Sequence, residues 1–379
     1  MVRRQLILPP FGCKVLPPAI CYGAHAVSVN YPEGMQLHAE LSCLDELPSA
    51  QVPGGAVLFD RLIHVPGYYL LKAEDAIIEI NKSHLRGVIE NCCWVDFGPG
   101  VGTKTLEMFQ RIGAVPRHYV GVDIAAEHLV ATRRKLSRVM PLNHMDMIEA
   151  DFLSRRFWEL QTLRSIKNQG VPVIGVMNGS TLFNFSAQEQ DDFLFLGRRV
   201  LNEMLIGADC TQDEDLLEGA YGQPVANVAL QFYLNGLICA GRLTQFDITI
   251  PHLRKKFDYG MKFNRQTNAA EIKITSKVRQ TYSTALSNGE ALFLSAARMD
   301  SIRASAPCLV FEEGEPIHCI SSGKNDLDTL YRQFRKAGWG IFQNMSFSEA
   351  MLNSEVFARL PFNRYSLNHK VDYNLIHLY

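Results

Sequence analysis

The chain has 379 residues, 47% of them hydrophobic, which is enough apolar side chain for two domains or one large one with a cap. Lys and Arg number 38 against 39 Asp and Glu, and basic clusters such as Arg254–Lys256 are short, so the concentrated positive face that a nucleic acid requires is missing. No run reaches the ~18–20 apolar residues of a membrane span, and MVRRQLILPPFG holds too little apolar sequence for a secretion signal, so the expected location is the cytoplasm.

In chain order, the segment before Tyr68 is rich in Pro and Gly (LPPFG, LPPA, VPGG, VPGYY) and has no strong period, which predicts irregular or short-helical structure within a cap. Five short apolar runs follow: CCWVDFG (92–98), HYVGVDI (118–124), DMIEADF (146–152), VPVIGVMNG (171–179) and NEMLIGADC (202–210). Each reads as a strand buried on both faces. The segments KTLEMFQRIG, AEHLVATRRKLSRVM and AQEQDDFLFLGRRVL lie between them with apolar residues at helical spacing. Strand and helix in alternation predict a parallel sheet covered by helices, a Rossmann-like α/β unit. Beyond Cys210 the runs 270–283 and 308–324 are longer and partly alternating, which predicts antiparallel strands. LDTLYRQFRKAGW reads as a helix, and the aromatic tail LNHKVDYNLIHLY is expected to be buried. The nine cysteines include the adjacent pair Cys92 and Cys93 and read as buried free thiols; the eleven histidines form no ligand pattern, so no metal is expected.

The turn Gly98-Pro-Gly-Val-Gly102 has the spacing G-x-G-x-G and is followed by Thr103 and Lys104. It meets neither the P-loop pattern nor the dinucleotide pattern G-x-G-x-x-G. Asp123 closes the next strand, where a carboxylate can take both hydroxyls of a ribose. Asp151 and Phe152 close the third, an acceptor beside a ring that suits an adenine. Either carboxylate alone reads as a helix cap. The set fits S-adenosylmethionine, with Gly98 and Gly100 letting the backbone approach its methionine part.

On these residues the sequence resembles the histidine Nα-methyltransferases of ergothioneine biosynthesis, from about Gly67 to about Lys324. The motifs are PGYY (66–69), DFGPGVGTKT (96–105), VGVDI (120–124), EADF (149–152), NGSTLFNF (178–185), GAY (219–221) and GEPIHCISSGK (314–324). The resemblance implies a class I methyltransferase core, 73–211 plus 323–379, that binds S-adenosylmethionine, and an α+β substrate-binding domain, 1–72 plus 212–322. It implies that Asn184 holds the substrate's amino nitrogen, Tyr221 its carboxylate, that Tyr68 lines the substrate site, and that Lys104 lies near the cofactor's carboxylate. Read alone, Asn184 fits a helix N-cap before SAQEQ, and the two tyrosines fit core aromatics.

The sequence also departs from the family. A glutamate and a serine that grip the imidazole in the family correspond to Ile320 and Ser322, a pocket methionine corresponds to Ile272, and an N-terminal tyrosine falls near Gln51. The implied reaction is N-methylation of an amino acid or related small amine other than histidine, on a scaffold turned to specialised metabolism, with Asn184, Tyr68 and water accepting a hydrogen from the amine and helping to release its proton; the sequence offers no dedicated histidine or carboxylate base. Methylation at carbon or oxygen is the competing enzyme reading. A non-catalytic subunit that uses the tail FNRYSLNHKVDYNLIHLY as a partner contact is the competing binding reading.

Overall fold

The computed structural model describes residues 14–15, 55–160, 165, 170–244, 253–283, 308–347 and 371–379. Two compact units are formed: Met1–Leu62 with Ala226–Met261 and Glu271–Ile320, and Ile63–Val225 with Lys262–Ala270 and Ser321–Tyr379. Chain order runs from strand β1 (Lys14–Val15) through helices α1 (Gly55–Ile63), α2 (Leu70–Ile80) and α3 (Lys82–Ile89). An alternation follows: β2 (Cys93–Phe97), α4 (Thr103–Ile112), β3 (His118–Asp123), α5 (Ala126–Leu136), β4 (Met145–Glu149), β5 (Val173–Met177), α6 (Ala187–Val200) and β6 (Glu203–Asp209). Next come α7 (Glu214–Tyr221), α8 (Ala226–Thr244), β7 (Phe257–Asn264), β8 (Ala269–Ser276), β9 (Gln280–Ser283), β10 (Cys308–Phe311) and β11 (Pro316–Gly323). The chain closes with α9 (Leu327–Lys336), β12 (Ile341–Ser346) and β13 (Tyr373–Leu378).

The second unit is built on a sheet of order β12-β13-β6-β5-β2-β3-β4. Its five expected strands are present and their pairings β2/β3, β2/β5, β3/β4 and β5/β6 are parallel. Every residue of β2 and β5 is buried, as apolar runs covered by helices on both faces require. On one face the Phe97 ring packs among Phe152, Trp158 and Phe193 at centroid distances of 5.1–5.6 Å. The order reverses between the paired neighbours β2 and β5, and the carboxyl ends of strands at such a switch point are where open α/β sheets hold ligands. This is a Rossmann-like α/β fold.

Helix boundaries follow their capping residues. Helix α4 ends at Gly113, whose φ of +72° is the left-handed stop that glycine provides. Ser186 and Glu189 form a capping box at the start of α6, and Asp213 and Asp326 cap α7 and α9.

β13 inserts antiparallel between β6 and β12, and all six of its residues are buried. This corrects the reading of the tail as a partner surface: Tyr373–Leu378 spends both backbone edges and its side chains inside the sheet. Residues 362–370 of that tail lie outside the described residues.

The first unit carries a sheet of order β1-β11-β8-β7, a separate antiparallel pair β9/β10, and the long helix α8. β8 alternates, with Ala270, Ile272, Ile274 and Ser276 buried, the pattern of a strand with one covered face. Each long run read from sequence here divides into two strands. The first breaks at Lys277–Arg279, where Ser276 Oγ folds back onto Val278 O. The second breaks at the turn around Gly314, with φ +77°.

Cys92, Cys93, Cys210 and Cys319 are buried and free, and burial pushes the Cys93 thiol up to about 12, so it stays protonated and inert. Among the described residues no helix is long and apolar enough to cross a membrane.

Candidate active site

The three glycines after β2 all lie in the left-handed region, with φ of +74°, +57° and +73° at Gly98, Gly100 and Gly102. They serve different ends. A Cβ at Gly102 would stand 2.8 Å from the Thr132 backbone of α5, whereas at Gly98 or Gly100 it would meet nothing within 4 Å. Gly102 is therefore a packing residue, and Gly98 and Gly100 present bare backbone to open space at the strand tip.

Gly102→Ala is accordingly expected to destabilise the protein, by about 1–2 kcal/mol for the left-handed φ and about 1–3 kcal/mol for overpacking. Gly100→Ala, with open space for its Cβ, should cost only the left-handed φ, about 1–2 kcal/mol. Melting curves of the two variants check the contrast, and equal destabilisation would contradict this division of roles.

Asp123, closing β3, is buried at 6% exposure. Its Oδ1 accepts from the N–H of Ile124 (2.8 Å) and Ala125 (2.9 Å), and its Oδ2 faces the Gly100 N–H at 3.3 Å and His128 Nδ1 at 3.4 Å. The carboxylate thus closes its own turn and also ties that turn to the glycine loop. Asp151 is half-buried and Oδ1 accepts from Leu153 N–H at 2.9 Å. Phe152 is buried at the margin of the aromatic cluster, 5.6 Å from Phe97 and 6.1 Å from Phe185. Beneath the loop, Asp96 Oδ2 accepts from Thr105 Oγ1 (2.7 Å) and Tyr119 Oη (3.0 Å), and burial pushes its carboxyl up to about 6. Strand tip and helix start are locked together there.

After β5 the chain makes two consecutive left-handed residues, Gly179 (φ +69°) and Ser180 (φ +61°). For a serine this conformation is strained and persists only where its surroundings hold it. Ser180 Oγ accepts from Asp209 N–H at 3.1 Å, and Gly179 N–H donates to Glu74 Oε1 at 2.9 Å. Glu74, on α2 and 2% exposed, also accepts from Tyr373 Oη at 2.8 Å and forms an ion pair with Lys104 at the start of α4. Burial, then the Glu74 carboxylate, raises the Tyr373 phenol well above its usual value, so it acts as a neutral donor. Gly207 leaves the room for this node, because a Cβ there would overlap Tyr373 Oη.

The turn delivers Asn184. Thr181–Asn184 forms one 3₁₀ turn, and the Asn184 Oδ1 is buried without a hydrogen-bond partner among the described residues. The N-cap of α6 is Ser186, so the capping role open to Asn184 in the sequence is filled by another residue.

The PGYY and GAY segments meet through their glycines: a Cβ at Gly67 would overlap the Gly219 carbonyl oxygen. That contact brings the rings of Tyr68 and Tyr221, 9% and 8% exposed, edge to face at 5.8 Å. The end of β11 lies against the Asn184 turn, with a Cβ at Gly323 falling 3.2 Å from Phe183 O. Ser322 is buried there, and its Oγ accepts from Lys324 Nζ at 3.0 Å. Asn184, Tyr68, Tyr221, Ser322, Lys104, Asp123, Asp151 and Phe152 all belong to the second unit. Ile272, buried on β8, and Ile320, half-buried on β11, belong to the first. Gln51 lies outside the described residues. Glu74, Asp209, Lys324 and Tyr373 were not read as site residues from sequence, although Lys324 ends the most specific late motif.

A family profile described as histidine-specific, S-adenosylmethionine-dependent methyltransferase matches residues 53–354. The chain belongs to this methyltransferase family. The histidine N-alpha-methyltransferase of Mycobacterium tuberculosis is 25% identical over 232 residues, 60% of this chain and 68% of that one. Its counterpart from Mycolicibacterium smegmatis is 23% identical over 250 residues, 65% and 74% of the two chains. A crystal structure of an S-adenosylmethionine-dependent methyltransferase from Clostridium acetobutylicum aligns over 84% of this chain and 98% of that one, with 8% identity and a TM-score of 0.40. The methyltransferase uses S-adenosylmethionine. At the tip of β2 the backbones of Gly98 and Gly100 border open space.

Proposed function

We propose that this methyltransferase acts on the amino nitrogen of an amino acid or related small amine other than histidine. One observation carries the reading: the Asn184 Oδ1 is a buried acceptor with no donor among the described residues, held by a strained and heavily braced turn. Buried acceptors are nearly always paired, and an amine supplies the missing N–H. Bound S-adenosylmethionine supplies a methyl group on a sulfonium.

In this reading Gly98, Gly100, Lys104, Asp123, Asp151 and Phe152 hold the cofactor. Asn184 accepts a hydrogen bond from the substrate nitrogen and so directs its lone pair; Tyr68 hydrogen-bonds at the same place, and the proton that an ammonium must shed passes to water. Tyr221 donates to a substrate carboxylate. Displacement at a methyl carbon disperses charge, so the protein's main contribution is alignment. Residues 73–211 with 323–379 would carry the cofactor, and 1–72 with 212–322 the acceptor.

The choice against histidine rests on Ile320 and Ile272. An imidazole N–H finds no acceptor in an isoleucine, and an unpaired polar group in a closed site costs ~1–3 kcal/mol. A mass-spectrometric screen of the twenty amino acids and simple amines, for gains of one to three methyl groups, tests both halves. Histidine as the best acceptor would remove the specificity claim, and no product from any compound would remove the N-methylation claim. Ile320→Glu is expected to raise kcat/KM for histidine about tenfold, the worth of one recovered hydrogen bond. No gain would mean that Ile320 is not the position of the family's glutamate.

A further inference from the structure

Asp209 and Lys324 form an ion pair of 2.7 Å in which both side chains are fully buried. Burying two charges is a poor way to gain stability, so the partners of the pair are informative. Lys324 Nζ carries three protons and meets three acceptors: Asp209 Oδ2, Ser322 Oγ at 3.0 Å and Tyr221 Oη at 3.1 Å. It also stands 4.7 Å from the centre of the Tyr221 ring. An ammonium donates only, so both hydroxyls accept from it and turn their own protons away from it.

Neither ion is free to swing. Asp209 takes Tyr69 Oη at 2.8 Å and Thr211 N–H at 3.2 Å. The Lys324 backbone is fastened through its N–H to Asn268 O (2.6 Å) and through its carbonyl to Gln212 Nε2 (2.9 Å).

We infer that Lys324 is a positioning residue of the methyl-transfer site, fixing Tyr221 and Ser322 as hydrogen-bond donors. Donors at both places select an acceptor molecule that offers a carboxylate, or another oxygen or nitrogen without a proton, at each. The functional half of this inference rests on the proposed role of Tyr221 in substrate binding and on Ser322 corresponding to the serine that grips the substrate in the family. The hydrogen-bond polarity does not.

The test therefore has an arm that needs no substrate. Difluorotyrosine is placed at position 221 and its ionisation followed by fluorine NMR, in the wild-type frame and with Lys324→Met plus Asp209→Asn, which removes both charges together. Donation from Lys324 favours the phenolate, so the wild-type probe should ionise about one pH unit or more below the double variant. Equal titration overturns the inference. If the double variant does not fold, the same probe at position 69, which faces Asp209, is the comparison within the wild-type frame. Position 221 must ionise below position 69, and the reverse order overturns the inference.

The second arm uses an acceptor found in the screen. The double variant should raise its KM about tenfold, with kcat changed less than about threefold and cofactor affinity unchanged. An unchanged KM overturns the positioning role. A shifted titration with no acceptor found strikes the proposed function and leaves the donor polarity standing.

Discussion

Asn184→Ala is expected to lower turnover by about 10²–10⁴-fold while S-adenosylmethionine affinity stays within about twofold. The reason is that this side chain does nothing visible for the fold. The helix it precedes is capped by Ser186 with Glu189, and its Oδ1 has no partner among the described residues. An unpaired buried acceptor carries a desolvation cost of about 1–3 kcal/mol, which truncation to alanine releases, against the small packing loss of one amide group. The melting temperature should therefore hold or rise as activity falls. Opposed signs for stability and activity mark a group kept for a ligand. A variant that melts lower and loses cofactor binding in step with turnover would make Asn184 a structural residue, and the N-methylation reading would lose its support.

The strand framework was legible because buried parallel strands leave little choice of residue. All five runs from CCWVDFG to NEMLIGADC contain strands; each strand stops short of its run's C-terminal end, and the third starts one residue earlier than its run, at Met145. The glycine turn was legible as a turn, but its division of labour was not. Only the position of Thr132 separates Gly102 from Gly98 and Gly100. Helices α2 and α3 were lost in a Pro- and Gly-rich neighbourhood, although AEDAIIEI has helical spacing. Helix α8 is apolar around much of its surface, which blurs the period that a sequence reading depends on. The place of β13 depends on pairing with β6, far away in sequence, and no local pattern encodes such a partner. Glu74 was invisible for a similar reason. Within α2 it looks like one more helix-face carboxylate, and only Gly179, Lys104 and Tyr373, brought from three other segments, make it a node.

That node yields the second large effect. Glu74→Ala is expected to destabilise the protein by about 3–5 kcal/mol, and Glu74→Gln by much less. The ion pair to Lys104 is not the main contributor, because the lysine is 31% exposed and solvent screens it. What decides the magnitude is the pair of donors left behind, the Gly179 N–H and the Tyr373 hydroxyl, each costing about 1–3 kcal/mol when buried without an acceptor. Glutamine keeps an oxygen for both, which is why the conservative variant should retain most of the stability. The same two bonds hold the strained Gly179–Ser180 turn that delivers Asn184. Turnover should therefore follow the alanine variant down and survive in the glutamine one. Melting curves and initial rates on both variants separate the contributions. Equal damage from glutamine and alanine would show that the charge, and hence Lys104, is what the turn depends on.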